Sequence, residues 1–185
     1  MTVDVTAPAE LVGDYQFDPA HTTLGFVARH AMVTKVRGRF DEFEGQLHID
    51  EDLAKSTVRI VIKVNSIDTR QEMRDNHLRS NDFLAMDEYP EIIFESTGVE
   101  RAGENSAEVS GDLTIRGVTK PVAFEMEYTG SAKDPFGNLR LGFEGTTVIN
   151  RKDWGVNWNA SLETGGVLVS EKVTLEFEVS AIKNA

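Results

Sequence analysis

One run of the chain concentrates the residues whose types and spacing could do chemistry. RQEMRDNHLRSNDFLAMDEYP brings together Arg70, Arg74, Asp75, His77, Arg79, Asp82 and Asp87. A histidine among carboxylates is the material of general acid–base catalysis or, with further ligands, of a zinc site. Arginines offer planar forks suited to phosphate oxygens. The rest of the sequence argues against the first two. No GxSxG elbow, SxxK or HExxH accompanies the run, and His21, His30, His48 and His77 stand at no spacing typical of metal ligands. Cysteine is absent, which removes disulfides, thiolate nucleophiles and Cys-ligated metals. ETGG lacks the GK[ST] of a phosphate loop, so Gly165 and Gly166 read as a strand connection. His77 beside Asp75 and Arg74 reads more simply as a network on a helix than as a catalytic pair. No catalytic residue, metal or cofactor is predicted.

The elements that must position this run can be read from its flanks. Thr69 and Glu72 fit a capping box, Asp75 and Arg79 stand four apart as an ion pair, and Ser80 or Asn81 starts a second turn running to Met86. Pro90 marks the return to strand. Elsewhere apolar residues recur at every second position, the period of a strand with one buried face. Val58, Ile60 and Ile62 alternate with Arg59, Val61 and Lys63. Val122, Phe124, Met126 and Tyr128 alternate with Glu125 and Glu127, and Val173, Leu175, Phe177 and Val179 with Thr174, Glu176 and Glu178. DYQF, TTLGFVARH, VRGRF, EGQLHI, EIIFEST, AEVSGDLTI and LRLGFEGTTVI add strands, and RAGEN, IRGVTKP, DPFGN and ETGG supply turns. The prediction is a mainly all-β antiparallel sandwich or barrel with a short helical insertion around residues 69–86. Residues 1–12 are expected to be a loose tail and 13–185 a single domain.

Asp and Glu number 31 against 19 Lys and Arg, a net charge of −12. That balance argues against nucleic acid as a partner, and against anionic membranes unless positive charge is local. MTVDVTAPAELVGDYQF has no basic segment followed by an apolar run and no stretch is long and apolar enough to span a bilayer, so a cytoplasmic protein is expected. Ten Phe and two Trp must mostly face inward, and a small barrel either fills with such side chains or holds one ligand.

Four stretches carry a resemblance: YQFDPAHTTLGFVARHAMVTKVRGRFDEFEGQL, NSIDTRQEMRDNHLRSNDFLAMDEYPEIIFEST, GDLTIRGVTKPV and INRKDWG. In order and spacing they resemble the YceI-like family, polyisoprenoid-binding proteins with a lipocalin-like barrel. The resemblance implies an antiparallel barrel of about eight strands around an apolar tunnel. It also implies binding of a polyprenyl chain, an isoprenoid quinone or a similar amphiphilic lipid, without stable membrane insertion and with a homodimer as one option.

Residues expected along the tunnel are Phe26, Phe40, Ile60, Ile62, Leu78, Phe83, Phe94, Phe124, Met126, Phe143, Trp154 and Phe177, with Met73 and Leu84 also turned inward. His21, His30, Arg74, Asp75, His77 and Arg79 are expected to knit the helix to neighbouring strands or to meet a polar head group. Asn150, Arg151 and Asp153 read as a turn network, while Trp154 and Trp158 line the tunnel or close its end. Two rival readings are an enzyme acting on such a lipid through His77 or His30, and a stress-linked interaction module with a filled barrel.

Overall fold

The computed structural model describes residues 8–184. Its strands, in chain order, are β1 (Gly13–Phe17), β2 (Thr23–His30), β3 (Thr34–Phe40), β4 (Phe43–Ile49), β5 (Thr57–Lys63) and β6 (Ile67–Asp68). They continue with β7 (Glu91–Gly103), β8 (Ser106–Ile115), β9 (Val118–Lys133), β10 (Leu139–Asn150) and β11 (Lys172–Lys183), and α1 (Glu72–Arg79) lies between β6 and β7. Every pairing is antiparallel, and β1 pairs with both β4 and β11. That closes the ring β1-β4-β5-β7-β8-β9-β10-β11, an eight-stranded barrel of the kind the family resemblance implied.

The three remaining strands continue staves of this ring. β11 pairs with β1 through Ala181–Lys183 and with β2 through Thr174–Glu178, so β1 and β2 are two halves of one stave bent at residues 18–22. By the same logic β3 runs into β4, and β5 into β6. The topology is thus an up-and-down meander whose first three staves are broken.

Alternation sets the wall. Along β9 the inward side chains Val122, Phe124, Met126 and Tyr128 are only half-buried, while Glu125 and Glu127 are exposed outside. Half-burial of inward apolar residues signals a bore that is not packed solid. Two clusters of buried apolar residues line its wall. Val64, Phe83, Ile92, Phe94, Trp154 and Val156 belong to one, and Tyr15, Phe17, Leu24, Phe43, Leu141, Val179 and Ala181 to the other. Val58, Ile60, Ile62 and Met126 touch both.

Glycines thin the wall where aromatic rings lie against it. A Cβ on Gly38 would fall 2.2 Å from the ring of Phe26, its cross-strand partner, and one on Gly45 would fall 2.2 Å from Phe17. A Cβ on Gly111 would meet both the Phe94 ring and the backbone carbonyl of Glu95 at 2.5 Å. Rings laid flat over glycine leave more of the bore open than rings projecting across it. At the end near α1, Arg116 and Gly117 both have positive φ in a two-residue turn joining β8 to β9. The Arg116 guanidinium reaches over to the Phe83 carbonyl at 2.6 Å, tying the helical insertion to the barrel rim.

The insertion departs from the sequence reading in several details. Gln71, not Thr69, is the N-cap of α1, and no side chain caps it. Thr69 instead donates its backbone N–H and its hydroxyl to Asp75, while Arg74 donates to the Thr69 hydroxyl at 2.7 Å and carbonyl at 2.6 Å. Arg79 does not pair with Asp75. It donates to the carbonyls of Asn65 and Ile67, because the strand before the helix passes closer to it than the acid one turn back. Met73 is 82% exposed and points away from the bore. Ser80 does start the second turn, accepting from the Asp82 amide. Of the expected tail, residues 1–7 lie outside the described residues. Ala9–Leu11 forms a 3-10 turn whose Leu11 carbonyl accepts from the Tyr15 hydroxyl at 2.8 Å, so this part is anchored.

Candidate functional site

A cavity of about 580 Å³ occupies the bore. All eight staves contribute, from Phe17 on β1 and Leu47 on β4 round to Phe177 and Val179 on β11. The twelve apolar residues singled out from the sequence, Phe26, Phe40, Ile60, Ile62, Leu78, Phe83, Phe94, Phe124, Met126, Phe143, Trp154 and Phe177, all border it, as does Leu84. One end is lined by Leu78, Phe83, Leu84, Trp154 and Val156 under the helical insertion. The other meets Pro8, Leu11, Leu53 and the exposed polar residues Arg101, Glu104 and Asn105. Its volume lies inside the range of small-molecule sites, roughly 300–1,000 Å³.

The indole N–H of Trp154 donates to the Leu113 carbonyl at 2.9 Å, so this large buried ring is fixed at the wall of the bore with its polar atom satisfied. Trp158 does not border the cavity. It packs edge-on to His77, with ring centres 4.6 Å apart, and against Phe83 at 5.3 Å, behind the inner layer.

One charged residue reaches the cavity from inside the fold. Arg151 is 6% exposed and borders the bore next to Trp154 and Val156. Its guanidinium donates to the carbonyls of Val156 at 2.6 Å, Ser170 at 2.8 Å and Val169 at 3.3 Å. Burial pulls its pKa down from the usual arginine value, and among the described residues no carboxylate forms an ion pair with it. Three backbone bonds leave two of its five N–H donors uncommitted. The sequence reading had Arg151 in a turn network. The signal that could have singled it out is its place directly after the inward-alternating stripe of β10, next to Trp154, where outward exposure was not to be expected.

The six polar residues expected around the helix do not form one group, and none borders the cavity. His21 lies in the bend between β1 and β2, where its Nδ1 meets Asp18 at 2.7 Å, and Arg140 grips the same carboxylate at 2.7 Å. His30 ends β2 in a bridge to Val169. Arg74, Asp75 and Arg79 form the network described above, and His77 shares a 2.9 Å contact with Asp82. His48 lies on the outer side of β4, partly exposed, between Asp14 at 2.7 Å and Asp50 at 3.3 Å. Among the described residues no three His, Asp or Glu side chains gather as a metal site would require, and no helix is long and apolar enough to cross a membrane.

The fold and the cavity together define a class, a closed antiparallel barrel around an apolar bore. The sequence profile of the YceI-like domain matches residues 15–181, and the chain belongs to the YceI-like family. The UPF0312 protein SA2479 of Staphylococcus aureus (strain N315) is 43% identical over 173 residues, spanning 91% of this chain and 95% of that one. Among solved structures, Burkholderia cenocepacia BcnA superposes with a TM-score of 0.78 at 24% identity, covering 89% of this chain and 98% of its own. The Campylobacter jejuni YCEI protein gives 0.73 at 27% identity, covering 85% and 90%. A polyisoprenoid binding domain from Saccharophagus degradans, implicated in plant cell wall breakdown, gives 0.71 at 17% identity, covering 92% and 98%.

Proposed function

We propose that this protein binds a long-chain isoprenoid, a polyprenyl chain or isoprenoid quinone, or a similar amphiphilic lipid, in the bore of the barrel. On this reading it carries, stores or sequesters the lipid and does not transform it. The observation that carries the proposal is the unfilled cavity of about 580 Å³, lined by aliphatic and aromatic side chains from every stave. A filled-barrel module would have had no use for that space. The polyisoprenoid-binding name of the Saccharophagus degradans domain, which shares the fold, supports the choice of ligand class.

The driving force is apolar transfer. Each methylene moved from water into such a lining gains about 0.8 kcal/mol, so a chain of several isoprene units offsets an association cost of roughly 4–15 kcal/mol. Selection should therefore follow length and girth more than head group. For the polar end of the ligand we assign Arg151, with its two uncommitted N–H donors, rather than Arg74 or Arg79, whose forks are bonded to the chain around α1. His77, engaged by Asp82 and outside the bore, is given no catalytic role. The reading places the protein in the cytoplasm, singly or as a homodimer, with no nucleic-acid partner and no resident cofactor.

The test is mass spectrometry of an organic-solvent extract of the purified protein beside an extract of an unrelated acidic protein from the same host. A stoichiometric long-chain species found only with this protein is expected. An empty extract, followed by no uptake of added farnesol, solanesol or ubiquinone, would overturn the proposal.

A further inference from the structure

The hairpin of β2 and β3 differs electrostatically from the rest of the chain. Between Thr23 and Phe40 it carries Arg29, Lys35, Arg37 and Arg39 and not one Asp or Glu, in a protein of net charge −12. Register decides where these charges go. Phe26 and Ala28 border the cavity, so Arg29 faces outward, and the pairings Arg29↔Lys35, Val27↔Arg37 and Gly25↔Arg39 put all four cations on one outer face.

Like charges directly opposite on a sheet repel, and here the repulsion is only partly answered. Arg37 meets Glu176 at 3.2 Å and Arg39 meets Asp41 at 2.9 Å. Arg29 spends one N–H on the Val33 carbonyl, and among the described residues neither Arg29 nor Lys35 forms an ion pair. On the packing elements the acids are Glu176 on β11, Asp68 on β6, which stands 3.8 Å from Arg39, and Glu171, which is paired with Lys152 at 2.8 Å.

The tip between the two strands is apolar. Ala31 and Met32 both have positive φ, +49° and +66°, in a turn closed by the Val33 amide on the His30 carbonyl. Asn and Gly are the residues this turn favours, because a side chain in the left-handed region costs of order 1 kcal/mol. The chain instead presents Met32 at 62% exposure and Val33 at 75%. The tip is braced by the Ala31 amide on the Leu168 carbonyl and by the Met32 thioether lying over Gly166, so Val33 and the outer side of Met32 are held out on a fixed base. That base leads into the bore, since Val169, bridged to His30, borders the cavity together with Ala28.

We propose that this hairpin docks the barrel on an anionic phospholipid bilayer, with Met32 and Val33 entering the interface and Arg29 and Lys35 meeting the lipid phosphates. A cationic rim around an apolar tip matches the two attractions such a surface offers, charge and burial. The negative charge of the remaining surface is repelled, which orients the molecule hairpin first and brings the cavity end at Ala28 and Val169 toward the membrane. The inference does not depend on which lipid fills the bore.

The experiment is vesicle co-sedimentation with the whole protein, using phosphatidylcholine vesicles and vesicles containing 30% phosphatidylglycerol, an anionic fraction of about 0.3 chosen to resemble a charged leaflet. Binding to the anionic vesicles alone, lost as salt is raised, is expected. Arg29→Ser with Lys35→Ser should lower the partition coefficient about thirtyfold, and Met32→Ser with Val33→Ser should lower it at both low and high salt. All four positions are on the surface, and an unchanged melting temperature would show that the fold is kept. Absence of binding to anionic vesicles, or undiminished binding by the Arg29/Lys35 variant, would overturn the proposal and leave this face to a protein partner. Neither result bears on the lipid extract, so this inference and the cargo reading fail separately.

Discussion

The Arg151 guanidinium donates to the Val156 carbonyl at 2.6 Å across the tight turn that ends β10, and so holds a cation against the wall of an apolar bore. Arg151→Met keeps much of the side-chain volume but leaves the carbonyls of Val156 and Ser170 without their side-chain donor, while the Val169 carbonyl keeps the Asn159 amide at 2.7 Å. An unsatisfied buried group costs about 1–3 kcal/mol, so a loss of about 2 kcal/mol or more is expected in urea unfolding. Arg151→Lys can restore only part of it, because an ammonium cannot present the planar fork.

Ile62 touches both core clusters and borders the cavity, whereas Val61 next to it does not. Ile62→Glu puts an unpaired carboxylate in the bore and should lower uptake of a fluorescent prenyl chain more than about tenfold, a penalty of over 1.4 kcal/mol. Val61→Glu carries the same charge to the other face of β5 and should leave uptake within about twofold. Equal losses in the two variants would count against the bore as the binding site.

Asp75 is buried and accepts from the Thr69 amide and hydroxyl. Asp75→Ala should destabilise the protein by about 1–3 kcal/mol, with faster amide exchange across α1. Glu72→Ala should change stability by less than about 0.5 kcal/mol, because Glu72 does not take part in a capping box.

Two pH effects of opposite sign are expected. The Asn138 backbone amide, followed by the Arg140 and Asn138 side chains, holds the Asp134 carboxyl down at about 2, and Arg140 also depresses Asp18. A folded pKa below the unfolded value of about 3.9 gives stability that is complete above that pH and lost as pH falls toward 2. Asp134→Asn should flatten the melting-temperature profile in that window. His48 is raised by hydrogen bonds to Asp14 and then Asp50, so its contribution is complete below about 6.5 and fades as pH climbs through the raised value. His48→Gln should remove that loss.

The cavity wall was legible in the sequence because alternation assigns a face, and a closed barrel has only one inside. Phe124, Met126 and Phe177 needed no further information than their spacing. The polar residues were read less well, since a hydrogen-bond partner is chosen by distance through space. Thr69 looked like a cap for Glu72 but sits under Asp75, and His21 looked like a neighbour of α1 but lies beside Asp18 and Arg140. Met73 stands on the same short helix as Leu78, yet only Leu78 faces the bore.

Taken alone, the sequence determined the alternating antiparallel strands, the places where the chain turns, the excess of acid and the family to which the four motifs point. These are local properties, settled by residue type and by a period of two. Only the tertiary structure decided that the bore stays open, that Arg151 is the cation on its wall, and that the basic face of the β2–β3 hairpin surrounds an apolar tip. Each of these depends on barrel closure and strand register, which bring residues from distant parts of the chain within a few ångströms of one another.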